Sequence, residues 1–443
     1  MKKYMTFFLG MIMLLSLFSC KNNKINDKEN HHTTSEIPSE NAAQEDYSTI
    51  LNMYRSIIEI LPNYVDSKEA MDDACTDLGI DSKEEKELFE KIFWSAFDFQ
   101  KAPLYKLSYG YAIKDLNGDG VDELVLLHQD YMIIAVFSFA DQKPVLLGNY
   151  LSRGSCWIDG HGWLHENGSS GADHSTNAVY RISDGGSELE LIVEFGTNGH
   201  EWIGDMAHTN YYQLVNGEKA EITETEYQDL NEQYGQYLGS QAGAAATKEH
   251  AGLVFLSMYT EAEIAMEAYE AALENEIKVY ETDIEKYHDL KDCKTPYNRI
   301  PLCEFENMGY VYMDVDGDSI NELVIDCGDT LILRYYEGCV YIYPFTFRNM
   351  HQLNTDGSYS WNHNGQNFEY GESKLAFDGA ELKTQELWRI VNDGEPNAEY
   401  YMDGKPVTQK EIRKYCKDNP KTKVDFVTLE VSWESHDDPD DKG

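Results

Sequence analysis

Asp115-Leu-Asn-Gly-Asp-Gly-Val-Asp-Glu-Leu124 returns later in the chain as Asp314-Val-Asp-Gly-Asp-Ser-Ile-Asn-Glu-Leu323. Oxygen-bearing side chains fall at positions 1, 3, 5 and 9 of each stretch. They are Asp115, Asn117, Asp119 and Glu123 in the first, and Asp314, Asp316, Asp318 and Glu322 in the second. A hard cation such as Ca²⁺ takes about six to eight oxygens at roughly 2.3–2.6 Å. A tight loop with an acid or amide at every second position supplies such a shell. The position-7 carbonyls, Val121 and Ile320, are candidate further ligands. Gly118, Gly120 and Gly317 permit the sharp turns that a wrap of this kind needs.

The flanks decide what kind of loop this is. A helix–loop–helix calcium site carries a bidentate Glu at position 12. Here that position is Leu126 or Ile325. Tyr109-Gly-Tyr-Ala-Ile-Lys before the first loop and Val121-Asp-Glu-Leu-Val-Leu-Leu within and after it have strand composition. The loop is therefore expected to join two antiparallel strands. It resembles the calcium loop of FG-GAP and VCBS-type repeats, D-x-[DN]-x-D-G-x-x-[DE], over about ten residues per copy. The resemblance implies that the four side chains of each copy bind metal. The second copy departs from the pattern with Ser319 at position 6.

The N-terminus reads as an export signal. Lys2 and Lys3 precede an apolar run from Met5 to Phe18, which is shorter than the ~20 residues of a membrane span. Leu17-Phe-Ser-Cys20 resembles a bacterial lipobox, which implies lipidation at Cys20 and a mature protein held on the cell membrane or outer membrane. Residues 21–46 are too polar to bury a core and are expected to act as a disordered tether.

The chain has 36 Lys and Arg against 79 Asp and Glu, a net charge of −43. This argues against nucleic acid and against direct docking on anionic lipid, both of which favour basic patches. Besides Cys20 there are seven cysteines: Cys75, Cys156, Cys293, Cys303, Cys327, Cys339 and Cys416. An odd count without a C-x-x-C pair is neither a disulfide framework nor an ordinary zinc site. Only Cys327 and Cys339 are spaced as possible partners on neighbouring strands; buried free thiols are the competing reading.

The order of elements repeats around the two loops. Helical periodicity runs through Ile50, Leu51, Tyr54, Ile57, Ile58 and Leu61 and again from Lys83 to Phe99. Strand candidates follow the loop at 131–139, 144–150, 178–182, 189–195 and 211–215, then a short helix capped by Thr223 and Glu226. In the second half, 247–287 is expected to be helical. Strands follow at 330–336, 340–345, 374–377, 382–391 and 399–402, then a helix with Thr408 and Glu411 in the same capping positions. The separation between matching features shrinks steadily along the chain, as a tandem duplication with a few loop deletions would produce. The expected architecture is α+β. Two tandem duplicated domains, 47–240 and 246–433, each carry helices followed by one antiparallel sheet with the calcium-type loop in a hairpin. An acidic tail occupies 434–443.

Other chemistry is weakly represented. His161, His165 and His174, with Asp159 and Glu166, form the one further polar cluster, and its glycines favour exposed loop histidines over a zinc pair. There is no G-x-S-x-G elbow, phosphate loop or dinucleotide fingerprint. Acidic residues are too abundant to single out a glycosidase pair. These features fit a surface-anchored, non-catalytic lipoprotein that binds two structural Ca²⁺ ions and recognises an extracellular glycan or protein. The alternatives are a secreted hydrolase acting on glycans or cell-wall polymer, and a solute-binding lipoprotein. A deep cleft with an acidic pair would favour the hydrolase, and a shallow aromatic face would favour binding.

Overall fold

The structure, a computed structural model, describes residues 47–61, 68–97, 104–150, 154–235 (except 172, 204 and 205), 243, 246–429 (except 298, 306 and 364–368) and 431. Cys20, the export signal, the tether and the acidic tail lie outside them. The chain divides into two compact units at Thr260/Glu261.

In the first unit, α1 (Ser48–Ile60), α2 (Lys68–Asp77) and α3 (Lys83–Phe97) precede the strands. Strands β1 (Tyr109–Lys114), β2 (Glu123–His128), β3 (Ile133–Ala140) and β4 (Lys143–Asn149) form an antiparallel meander. A second antiparallel sheet follows as β5 (Gly154–Ile158), β6 (Leu164–Gly171), β7 (His174–Ile182), β8 (Leu189–Ile203), β9 (Met206–Val215) and β10 (Glu218–Ile222). After α4 (Glu224–Tyr234), β11 (Leu256–Ser257) returns to pair with Gly110 and Tyr111 of β1.

The layers follow from where apolar side chains fall. Ile50, Leu51, Tyr54, Ile57 and Ile58 share one face of α1 and are buried, each worth roughly 1.5–3 kcal/mol of burial. Tyr54 meets Tyr109 of β1 edge to face at 6.2 Å, and the Tyr109 hydroxyl donates to Ala96 O at the end of α3. On the other side of the first sheet, Val125, Val136 and Leu127 share a core with Cys156, Ile158, Leu164 and Ile182 of the second sheet. The unit is thus helix on sheet on sheet.

The second unit opens with α5 (Glu261–Leu273), β12 (Val279–Glu281) and β13 (Lys286–His288). Strands β14 (Gly309–Met313), β15 (Glu322–Asp326), β16 (Thr330–Tyr336) and β17 (Cys339–Phe345) then form a meander, and β12 joins β17 in parallel. The last sheet is β18 (Gln352–Leu353), β19 (Ser358–His363), β20 (Glu369–Asp378), β21 (Glu381–Val391), β22 (Glu399–Met402) and β23 (Lys405–Pro406). After α6 (Gln409–Asp418), β24 (Val427–Thr428) returns to pair with Tyr310 and Gly309 of β14. Here too one core joins the sheets, with Val324 and Ile332 against Leu353, Tyr359 and Leu375.

Several expectations are corrected. Each unit holds two sheets rather than one, and in the second unit one sheet is mixed. Residues 246–258 complete the first unit through β11, so the division lies later than 240–246. The long helix expected over 247–287 shrinks to α5. Asn275 takes a left-handed φ of 58°, and Glu276 N–H bonds back to Ala271 O, a helix-closing arrangement that alanine and glutamate content does not reveal. Both capping boxes form as expected, with Thr223 and Glu226 on α4 and Thr408 and Glu411 on α6.

Candidate metal-binding loops

Each loop is the connection of an antiparallel hairpin. Lys114 pairs with Glu123 in the first unit and Met313 with Glu322 in the second. Inside the turns the acids bind the backbone first. Asp115 accepts from Gly118 N–H (2.6 Å) and Gly120 N–H (3.0 Å). Asp314 accepts from Gly317 N–H (2.6 Å) and Ser319 N–H (2.9 Å). Asp119 takes Val121 N–H, and Asp318 takes Ile320 N–H, both at 2.8 Å. The position-9 glutamates are fully buried and accept from the position-2 amides, Leu116 and Val315.

A glycine from the second sheet of each unit backs its loop. A Cβ on Gly162 would stand 1.9 Å from Leu116 O, and one on Gly357 would stand 1.8 Å from Val315 O. Both glycines have φ near +75°. Each lies three residues after an amide or acid in a tight turn, with Gly162 N–H donating to Asp159 O and Gly357 N–H to Asn354 O. Sequence reading missed both, because the contact joins segments that are far apart in the chain.

The two loops differ in what faces the glutamate. Leu124 pairs with Phe137, so the next residue on β3 is Ser138. Leu323 pairs with Leu333, so the residue in the same register on β16 is Arg334. Ser138 Oγ donates to Glu123 Oε1 at 3.1 Å. Burial pushes the Glu123 carboxyl up to about 7, although Leu116 N–H and Ser138 hold its charged form. No Lys or Arg ion pair reaches Asp115, Asp119 or Glu123 among the described residues.

Arg334 instead reaches three acids. Its Nη1 lies 2.8 Å from Glu322 Oε1 and 3.2 Å from Asp316 Oδ2, and its Nη2 lies 3.0 Å from Asp318 Oδ2. The guanidinium lies 4.4 Å over the Phe377 ring. Burial opposes its charge, but Glu322, Asp318 and Asp316 outweigh that and hold it protonated. The sequence carried the signal: Arg334 is the only charge in the apolar strand Thr330-Leu-Ile-Leu-Arg-Tyr-Tyr336, and a buried charge requires partners.

Asp314, Asp316 and Glu322 bring ligand oxygens within 4.8 Å of one another, close enough for one ion, and no such three-acid group forms at the first loop among the described residues. Taken alone, that compactness favours the second loop. Two of the three, Asp316 and Glu322, are already drawn together by the guanidinium, while Asp314 is held by the Gly317 and Ser319 amides. In the first loop Asn117 replaces Asp316, and its amide donates to Asp119 Oδ2 and Ser183 O. Its donors, two aspartates, an asparagine and a buried glutamate beside a hydroxyl, suit a hard cation with oxygen ligands.

The other candidates resolve differently. His165 is buried on β6, with Nε2 3.0 Å from Asp159 Oδ2, while His161 is exposed and packs beside the Trp163 ring. His174 begins β7, away from that pair in the strand register. No metal-type grouping of these histidines occurs among the described residues. No disulfide joins the seven cysteines among the described residues, with Cys327 donating to Asp329 O and Cys339 near the Tyr287 hydroxyl.

The second unit also carries an open pocket of about 430 Å³ lined by Tyr343, Phe345, Tyr359, Trp361, Asn349 and Asp283, among others. Glu281, which precedes the lining residues Thr282 and Asp283 in the chain, is buried and pushed up to about 7, first by burial and then by the negative charge of Asp283. Compared with family models, curated proteins and solved structures, the chain matches none.

Proposed function

We propose that this protein is an extracytoplasmic, lipid-anchored binding protein whose first loop takes a structural Ca²⁺, and that its two units descend from one duplicated α+β domain. The calcium reading is supported by a single comparison. The second loop gathers a cationic group with its side chains at positions 3, 5 and 9. The first has oxygen donors at the same positions and a serine hydroxyl where that group originates. Asp115, Asn117, Asp119, Glu123 and the Val121 carbonyl would hold the ion. It would neutralise the acids and fix the β1–β2 hairpin over the core. Duplication is supported by matching strand registers, by the two capping boxes and by the paired glycines behind the loops.

Binding rather than hydrolysis is supported by the open aromatic pocket of the second unit. Among its lining residues Asp283 is the one carboxylate. A glycoside hydrolase needs a pair of carboxyls flanking the scissile bond. A polymer with flat apolar faces and hydroxyls, such as an envelope glycan, fits the half-buried Trp361 flanked by Asn349 and Asp283.

Two measurements test the reading. Calcium at ~100 times its dissociation constant adds about 2.7 kcal/mol to a folded state that alone binds it, so melting in metal-free buffer rises with calcium and falls with chelator. Equal curves return the first loop to an acidic turn. For the anchor, Cys20→Ala is expected to abolish palmitate labelling and release the protein from membranes; labelling that persists in this variant removes the lipoprotein assignment.

A further inference from the structure

We infer that the second loop is a cation site filled by the protein's own Arg334, so that the chain takes one divalent ion rather than two. This inference rests on the proposed calcium reading of the first loop. It starts from a contact absent from the repeated motif itself. Carboxylate count alone favours the second loop, with four, from Asp314, Asp316, Asp318 and Glu322, where the first has three, and Ser319 at position 6 offsets that advantage.

Strand register separates the two loops. Arg334 and Ser138 occupy one position in two equivalent hairpins, one residue past the partner of the leucine that follows the loop. From there Arg334 donates to the side chains at positions 3, 5 and 9. A divalent ion in the same loop would draw on Asp316 and Glu322, two of the three acids that converge there and both bound by Arg334. The guanidinium and the ion are therefore mutually exclusive.

The exchange is chemically balanced. Arg334 is always charged and offers directional donors to several carboxylates. It gives the buried Glu322, which also accepts from Val315 N–H, a charged partner on its second oxygen. Phe377 lies against the guanidinium and limits its movement away from the acids. At the first loop the hydroxyl of Ser138 carries no charge, so a metal cation there would come from solution. The two units then differ in regulation: one answers to the divalent concentration of the medium, and the other is set by the polypeptide.

The test is calcium titration of the full chain by calorimetry in metal-free buffer, with thermal unfolding in parallel. The wild type is expected to bind one ion. Asp119→Asn should abolish that binding, whereas Asp318→Asn should leave it unchanged. Arg334→Ser should bind two ions, and its second unit should melt lower in chelator and recover when calcium is added. Two ions on the wild type, with one lost in Asp318→Asn, would overturn the inference while sparing the calcium reading of the first loop. A folded Arg334→Ser chain that still binds only one ion would also overturn it. No ion on the wild type but one on Arg334→Ser would support the inference and remove the first-loop reading instead. If Arg334→Ser fails to fold with or without calcium, the wild-type stoichiometry and the Asp318→Asn comparison still decide the matter.

Discussion

At the level of single residues, the two loops set a glycine against a serine in one backbone conformation. Gly120 has φ +88°, with nothing within 4 Å of a Cβ built on it, and Ser319 holds φ +73°. A residue with a Cβ costs roughly 1–2 kcal/mol in that region, partly offset by the larger unfolded-state entropy of glycine, about 0.4–1 kcal/mol. Ser319→Gly is therefore expected to stabilise the second unit by about 0.5–1 kcal/mol, and Gly120→Ala to destabilise the first by a similar amount. Denaturant unfolding with an unchanged slope measures both. Gly162→Ala and Gly357→Ala should be far harsher, at roughly 3 kcal/mol or more, because overpacking against a carbonyl adds to the backbone strain. If either alanine variant melts like the wild type, the close approach to Leu116 O or Val315 O is wrong. The strain at position 6 was legible in the sequence, since a local motif dictates it. The glycines behind the loops and the choice between Ser138 and Arg334 were not, because they depend on which distant strand lies alongside.

At the level of elements, the sequence was most informative where one period governs one segment. The apolar stripe of α1, the pairing of β16 with β17 and both capped helices follow local rules. It misled where a short tertiary contact overrides composition. β12 is strand because Val279, Tyr280 and Glu281 pair in parallel with Val340, Tyr341 and Ile342, a contact invisible to a window scan. The C-terminal segment is another such case. Lys421 Nζ lies 2.6 Å from Asp356 Oδ2, Thr355 N–H donates to Thr422 O, and Asn354 bridges Lys423 before β24 joins β14. The segment therefore straps the turn that carries Gly357. Burial raises the Asp356 pKa, but Lys421 and the Ser358 hydroxyl and amide outweigh it and hold the carboxyl down at about 2. A folded pKa below the unfolded value of about 3.8–3.9 gives stability that is fully present above that value and lost as pH falls toward 2. Asp356→Asn should thus lower second-unit stability at pH 6 and flatten its acid limb between about pH 4 and pH 2. Half of the Asp356 side chain is exposed, so the effect should be modest and should shrink with salt. An acid limb identical to wild type would mean that the strap does not depend on this pair.

For the whole molecule, the governing quantity is a net charge of −43. Self-repulsion of that size destabilises any compact state, and dissolved salt relieves it by screening. Calcium therefore has two separable effects on this protein. One is general: any added electrolyte should raise the melting temperature by shortening the Debye length, which falls from about 30 Å at 0.01 M to about 10 Å at 0.1 M. The other is local and confined to the first loop, where Glu123 is buried beside a neutral hydroxyl. Extracellular calcium modules bind at roughly 10⁻⁴–10⁻³ M, so a few millimolar calcium populates a local site while adding little ionic strength. Above about 0.1 M sodium chloride the general effect is largely saturated. A local calcium shift should persist there, and magnesium at the same concentration should reproduce little of it, because Mg²⁺ demands a tighter octahedral shell and dehydrates reluctantly. Asp119→Asn should remove the calcium shift and leave the salt response intact. If calcium, magnesium and ionic-strength-matched sodium chloride raise the melting temperature equally, in both the wild type and Asp119→Asn, the divalent effect is screening of the whole acidic surface and the first loop has no ion of its own.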